Sequence, residues 1–144
     1  MAKILFVDDE EQAMRWHRIM LEETGGHPVA FFRFAERAMQ YIEKTKQDNE
    51  LPDAIILDVN MPADGRYAND PTNEDGMRTG IRLLRDICQL LGTAIPPVII
   101  YTQLQNPDIP RQVKVLHKDA VVLDKLAAGP EALLDKVNIL LGQG

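Results

Sequence analysis

Cysteine is almost absent from this chain of 144 residues. The single Cys88 excludes an internal disulfide and fits a reducing cytoplasm. Long apolar runs are lacking too. None exceeds five residues, whereas a membrane-spanning helix needs about 20. Positive charge is in short supply: 16 Lys and Arg stand against 22 Asp and Glu, a net charge of −6. That balance argues against a nucleic-acid footprint, which is usually a basic face. No repeat and no low-complexity tract is present, and Met1-Ala2-Lys3 leads directly into an apolar run with no visible signal peptide. The apolar fraction of 45% and charged fraction of 26% are ordinary, so a single globular domain over 1–144 is expected.

What the sequence does contain is a set of apolar runs that end in acids. Ile4-Leu5-Phe6-Val7 stops at Asp8-Asp9. Ala54-Ile55-Ile56-Leu57 stops at Asp58, followed by Val59-Asn60-Met61-Pro62. Both runs have the length and β-branched content of buried strands. An ionised carboxylate at the end of a buried strand is costly unless compensated. Three of them brought together repel one another and invite a divalent cation. Asp8 as a simple helix N-cap is the bland alternative.

The remaining elements follow from periodicity and breakers. A helix is expected over about Glu10–Glu23, with Ala13, Trp16, Met20 and Leu21 on one face and Gly25-Gly26 ending it. A strand over Val29–Phe34 and a helix over Ala35–Lys46 come next. Residues 63–75 contain Gly65, Pro71, two asparagines and four acids without apolar period, which predicts a long solvated surface loop. A helix is then expected over Gly76–Leu91, and Pro96-Pro97 introduces a strand at Val98–Thr102. Pro110 suits the first turn of a short helix to Lys118. A fifth strand is placed at Ala120–Leu123, ending at Asp124-Lys125. Gly129-Pro130 opens the last helix.

Five apolar strands alternating with five helices predict an α/β fold, a doubly wound parallel sheet covered on both faces. Right-handed crossovers leave few topologies. In the order 2-1-3-4-5 the strand order reverses between strands one and three, and ligands bind beyond the carboxyl ends there. Asp8, Asp9 and Asp58 end those two strands.

Together, "ILFVDDE", "LPDAIILDVNMP", Asp75-Gly76 before a helix, "PPVIIYT" and "VVLDK" identify the chain as resembling a receiver domain of the two-component response regulators, chemotaxis-regulator-like, over nearly its whole length. The resemblance implies the flavodoxin-like receiver fold and a set of roles. Asp58 would be the phosphoacceptor. Mg²⁺ would be held by Asp9 and Asp58 directly, by Asp8 mostly through water, and by the Asn60 backbone carbonyl. Thr102 would hydrogen-bond the phosphoryl group and Lys125 would pair with one of its oxygens. The phosphoryl donor would be a histidine kinase or histidine phosphotransfer protein, and the output a contact with another protein, with neither nucleic acid nor membrane as partner. The domain would assist its own phosphorylation and dephosphorylation without being a turnover enzyme. It would be a stand-alone receiver or a piece of a longer protein.

The chemistry fits these residue types without the family. A carboxylate forms aspartyl phosphate, and phosphoryl transfer asks mainly for positioning and charge neutralisation. Mg²⁺ takes oxygen ligands and keeps several waters.

Several positions depart from the receiver pattern. The interval between Met61-Pro62 and Asp75-Gly76 is about ten residues longer than usual. Leu126 follows Lys125 where a proline is usual, Val122 stands at the position of an aromatic switch residue, and Gln103 replaces a small residue after Thr102. The departures near Lys125 and Gln103 favour a competing reading, a receiver-like binding module that does not depend on phosphorylation, and the complete acid set opposes it. An aspartate-nucleophile hydrolase is a third reading, set against the lack of matching turnover machinery. Val122 is too short to act as a moving ring, so any switching is expected to run through Thr102 and the segment to Val115. Cys88 is read as a small core residue and Trp16 as core or the flank of its helix stripe, His17 as a phosphotransfer histidine would need a four-helix bundle that the strands exclude, and His27 and His117 lack metal-ligand spacing.

Overall fold

In the computed structural model, residues 2–68, 78–104 and 106–142 are described. The strands are β1 (Ile4–Val7), β2 (Val29–Phe32), β3 (Ala54–Leu57), β4 (Val98–Thr102) and β5 (Val121–Asp124). The helices are α1 (Arg15–Ile19), α2 (Ala35–Gln47), α3 (Thr79–Leu91), α4 (Asp108–Leu116) and α5 (Pro130–Leu140). Every strand pairing is parallel, in the order β2-β1-β3-β4-β5. The expected doubly wound topology is therefore present, with its reversal between β1 and β3.

Alternation along the strands divides the core into two layers. Leu5, Val7, Ile55, Leu57, Val98 and Ile100 pack with α2, α3 and α4. Ile4, Phe6, Ala54, Ile56, Ile99 and Tyr101 pack on the opposite face with Leu21, Leu133, Leu134 and Val137. The three inner strands are buried throughout, while β2 and β5 at the edges are half-buried. Cys88 is half-buried and packs against the first layer, and burial pushes its thiol up.

The first helix differs from the expectation. It begins at Arg15 rather than Glu10, and no side chain caps it. The Asp8 carboxylate instead accepts the Glu10 N–H at 2.8 Å, closing a turn two residues on. With the later start, Met14 and Leu21 are buried and His17 is half-buried. Ala13 and Trp16 are left exposed, Trp16 to 70%. The chain then widens into a π-helical turn, Met20–Thr24, closed by Gly25 N–H on the Met20 carbonyl.

The segment after β3 also differs. Residues 63–68 are not a solvated loop. Gly65–Tyr67 form a 3-10 turn, and Tyr67 is 2% exposed beneath it. The Arg66 guanidinium donates to Glu36 Oε2 at 2.7 Å and Oε1 at 3.1 Å, and reaches Glu43 at 3.0 Å. Tyr67 donates to Asp86 at 2.9 Å, and Asp64 accepts the Glu36 N–H at 3.3 Å at the start of α2. Gly65 is needed at this join. Its φ is +49°, and a Cβ there would lie 2.5 Å from the Glu36 side chain. The missed signal was Arg66-Tyr67 itself, because aromatic and cationic residues packed on a neighbouring helix leave no period in their own segment. The rest of the expected loop, Asp75-Gly76 included, lies outside the described residues.

Other boundaries move by one to three residues. Strand β2 stops at Phe32, and β5 runs one residue later than expected. Helix α4 starts at Asp108 because the Asn106 side chain accepts the Asp108 N–H at 2.9 Å. Pro110 still lies in the first turn, where no intrahelical donor is needed.

Candidate functional site

Parallel pairing brings the carboxyl ends of β1, β3, β4 and β5 to one edge of the sheet. Val7 is in register with Leu57, and Leu57 with Ile100. The next residues, Asp8 and Asp58, therefore emerge side by side, and the Asp58 N–H bonds the Val7 carbonyl at 3.0 Å. Both are almost fully buried, at 0% and 3% exposure. Thr102 ends β4 and is also fully buried.

These residues bond one another. Thr102 Oγ1 donates to Asp58 Oδ1 at 2.5 Å, and the Asn60 N–H donates to the same oxygen at 3.2 Å. Lys125 Nζ lies 2.7 Å from Asp8 Oδ2 and 3.1 Å from Asp58 Oδ2. Its backbone N–H bonds the Thr102 carbonyl at 2.9 Å, which fixes the lysine's starting point beside β4. Leu126, the residue in the usual proline position, is 77% exposed. Every described peptide bond is trans, and Lys125 still reaches both acids.

The electrostatics match a crowded anionic site with one internal cation. The Asp8 carboxyl is pushed up to about 6. Burial is the largest cause and the Asp58 charge the next, with Lys125 pulling the other way. Asp9 is raised for the same two reasons, burial first. Burial alone would lower Lys125, but Asp58 and Asp8 outweigh it and hold the ammonium above its ordinary range. Two negative groups thus share one lysine, and the site is short of positive charge.

Ligand atoms of Asp8, Asp9, Glu10 and Asp58 lie within 4.8 Å of one another. Asp9 Oδ1 is buried without a hydrogen-bond partner. All-oxygen donors, excess negative charge and an orphaned carboxylate oxygen fit a hard divalent cation such as Mg²⁺. Glu10 is not among the metal ligands that the resemblance implies. It follows Asp9 in an acidic string, and only the Asp8 turn brings it into the cluster.

A further residue escaped the sequence reading. A Cβ at Gly80 would stand 1.9 Å from the Asp58 carbonyl oxygen and 2.6 Å from Val59 Cα. The Gly80 N–H also bonds the Val59 carbonyl at 3.0 Å. Only glycine lets the first turn of α3 lie on the backbone that carries Asp58. Asp75-Gly76, which the sequence marks before this helix, lies outside the described residues, and Gly80 makes the close approach.

On the other side of the sheet from α3, Tyr101 precedes Thr102. Its hydroxyl donates to the Ala128 carbonyl at 2.6 Å, so His17 Nε2, at 2.8 Å, is the donor to the tyrosine oxygen. His17 is lowered by burial first and by Lys125 second. Val122 is half-buried against the layer formed with α2, α3 and α4.

The class that fold and site define is a five-stranded, doubly wound α/β domain with acids at its switch point. Its fold is that of the CheY-like receiver domains of response regulators. A CheY-like receiver domain from Methanospirillum hungatei is 22% identical, with TM-score 0.71 over 99% of this chain and 95% of that one. Vibrio cholerae chemotaxis protein CheY4 is 23% identical, with TM-score 0.69 over 97% and 98%. The phosphorylated cyanobacterial phytochrome response regulator RcpA is 24% identical, with TM-score 0.69 over 98% and 89%. No protein-family model and no curated protein matches the sequence.

Proposed function

We propose that the chain is a phosphorylatable signalling switch of a two-component or phosphorelay system. Asp58 accepts the phosphoryl group, and Asp8, Asp9, Asp58 and the Asn60 carbonyl hold Mg²⁺. The observation that carries this reading is the position of Asp58. Its two oxygens meet a hydroxyl donor, a backbone N–H and a lysine at 2.5, 3.2 and 3.1 Å beside an under-neutralised acidic cluster. Likeness to receiver folds supports it, one of them phosphorylated in its solved form.

The donor is a phosphohistidine on a kinase or phosphotransfer protein. A carboxylate oxygen of Asp58 forms the new P–O bond, the P–N bond breaks, and the imidazole leaves with its electron pair. Bound Mg²⁺ would supply charge neutralisation for the phosphoryl oxygens. Lys125 exchanges its Asp58 contact for a phosphoryl oxygen, keeping a compact positive charge at the same place. Thr102 turns its hydroxyl from the carboxylate to the phosphoryl group. The signal then leaves through the backbone after Thr102 towards α4, because Val122 offers no ring to move. Output is contact with another protein, and no described helix is long and apolar enough to cross a membrane.

Incubation with Mg²⁺ and acetyl phosphate, read by intact mass, tests the proposal. One phosphoryl group should add to the wild-type chain and none to Asp58→Asn. An adduct of the same yield in Asp58→Asn would reject the assignment. Absence of any adduct would favour the phosphorylation-independent binding module, and many turnovers without an adduct the hydrolase.

A further inference from the structure

At Lys125 the chain is held by hydrogen bonds. The lysine opens the turn that joins β5 to α5. No proline ring fixes the backbone there, since leucine follows the lysine. Leu126 is 77% exposed, so its burial does not hold the turn either. Asp124 Oδ1 accepts the Leu126 N–H at 3.0 Å, a side-chain turn that spans Lys125. The Asp124 carbonyl accepts the N–H groups of Ala127 and Ala128 at 3.0 and 2.8 Å. The last tie comes from outside the turn, where the Tyr101 hydroxyl donates to the Ala128 carbonyl at 2.6 Å.

Tyr101 is 1% exposed in the core layer shared with α5. A buried phenol hydroxyl needs a partner, and this one has two. It donates to Ala128 and accepts from His17 Nε2 at 2.8 Å. His17 Nδ1 is buried without a hydrogen-bond partner, so the imidazole engages through Nε2 and braces the hydroxyl from α1. Lys125 Nζ lies 6.0 Å from the centroid of the Tyr101 ring, at the outer limit of a cation–π contact. One side chain thus meets both the carbonyl that closes the turn and the ammonium that the turn presents.

We infer that Tyr101 is a positioning residue for Lys125. Its hydroxyl holds the far end of the turn, so the lysine stem leaves from a fixed place. The ammonium then reaches Asp8 and Asp58 together, at 2.7 and 3.1 Å. A lysine stem has many rotamers, and a fixed backbone origin narrows where its charge can stand. The hydroxyl itself touches neither acid and acts through the lysine. Its effect on phosphoryl transfer rests on the role proposed above for Lys125, but the placement of the ammonium can be measured without phosphate or Mg²⁺.

Tyr101→Phe keeps the ring and removes only the hydroxyl. Acetylation by acetic anhydride, read lysine by lysine after digestion, reports on the ammonium in the absence of phosphate. Lys125 should react about threefold faster or more in Tyr101→Phe, with the exposed lysines unchanged. With acetyl phosphate and Mg²⁺, Tyr101→Phe should slow labelling of Asp58 by about tenfold. In a Lys125→Met background the same substitution should slow it no further. His17→Leu, which retains the hydroxyl, should move both readouts in the same direction by less, and it decides on the Lys125 readout if Tyr101→Phe does not fold. Unchanged Lys125 acetylation would overturn the inference. So would equal slowing with and without the lysine, which would make the hydroxyl merely structural or route its effect through Thr102. A larger effect of His17→Leu than of Tyr101→Phe would move the positioning role to the histidine. A wild-type chain that takes up no phosphoryl group would reject the phosphorylation reading alone, and Lys125 acetylation would still decide this one.

Discussion

Two clusters of acids each hold one cation, Lys125 in one and Arg66 in the other, and they behave in opposite ways. At the sheet edge, Asp8, Asp9 and Asp58 are served by Lys125. On α2, Glu36 and Glu43 are served by Arg66. In the first, Asp8 is pushed up to about 6, because burial and a neighbouring carboxylate come before pairing. In the second, Glu36 is held down at about 2, because the Arg66 side chain and its backbone N–H both donate to it. The carboxylates are of the same kind, but the solvent and the number of donors differ. A satisfied, partly exposed cluster fastens a turn onto a helix. A buried, under-neutralised cluster keeps an unfavourable charge that a cation would relieve.

The comparison can be broken most directly at Tyr67, beneath the Arg66 turn. Tyr67→Ala should cost about 3–5 kcal/mol of stability, measured by denaturant unfolding, because a buried ring is lost and Asp86 loses a donor. Acetyl-phosphate labelling of the folded fraction should persist. A loss near zero would return the segment to the solvated loop that its composition suggests.

Gly80→Ala acts on the other side of the contrast. The added methyl meets backbone rather than a flexible side chain, so about 3 kcal/mol is expected. Labelling at Asp58 should also slow, since the clash falls on the carbonyl of that residue. Wild-type stability and labelling would show that α3 does not rest on this backbone.

Asp8→Asn should be stabilising without metal, by about 1–3 kcal/mol at pH 7.5. The sign follows from the raised carboxyl. The folded state binds the Asp8 proton more tightly than the unfolded state, so this residue's contribution is most favourable below about pH 4 and declines as pH rises through about 6. The gain from Asp8→Asn should therefore vanish near pH 4. Mg²⁺ should raise the wild-type Tm more at pH 7.5 than at pH 5, and chelation should reverse it. A destabilised Asp8→Asn at pH 7.5 would mean that the Lys125 pair outweighs the burial of charge.

Arg66→Met should have the smallest effect, about 1 kcal/mol at pH 7, since the pairs are partly exposed and screened. Glu36 is depressed, so its contribution is present above its unfolded value near 4 and is lost as pH falls through about 2. Salt should weaken this effect and leave the Asp8 effect largely unchanged. Equal salt sensitivity in both would erase the distinction between the clusters.

Much of the fold and site was legible because both depend on short-range pattern. Apolar runs of strand length separated by amphipathic helices dictate a parallel sheet, and parallel strands place the residues after each run at one edge. Asp8, Asp9, Asp58, Thr102 and Lys125 all follow or end such runs, so their convergence could be read from order and length. The expectation of a divalent cation followed from carboxylates that must lie together at the end of a buried sheet, and the resemblance narrowed it to Mg²⁺. Tertiary structure alone decided the rest. The phase of α1, and so the exposure of Trp16 and the contact of His17 with Tyr101, depends on where the Asp8 turn lets the helix begin. Gly80 is critical through a backbone contact with Asp58, and a glycine in a helical pattern does not announce what lies opposite it. Arg66 and Tyr67 sit in a stretch with no period because their partners, Glu36, Glu43 and Asp86, belong to other helices. Period and run length are properties of one segment, whereas these contacts are made between segments and exist only once the sheet has brought them together.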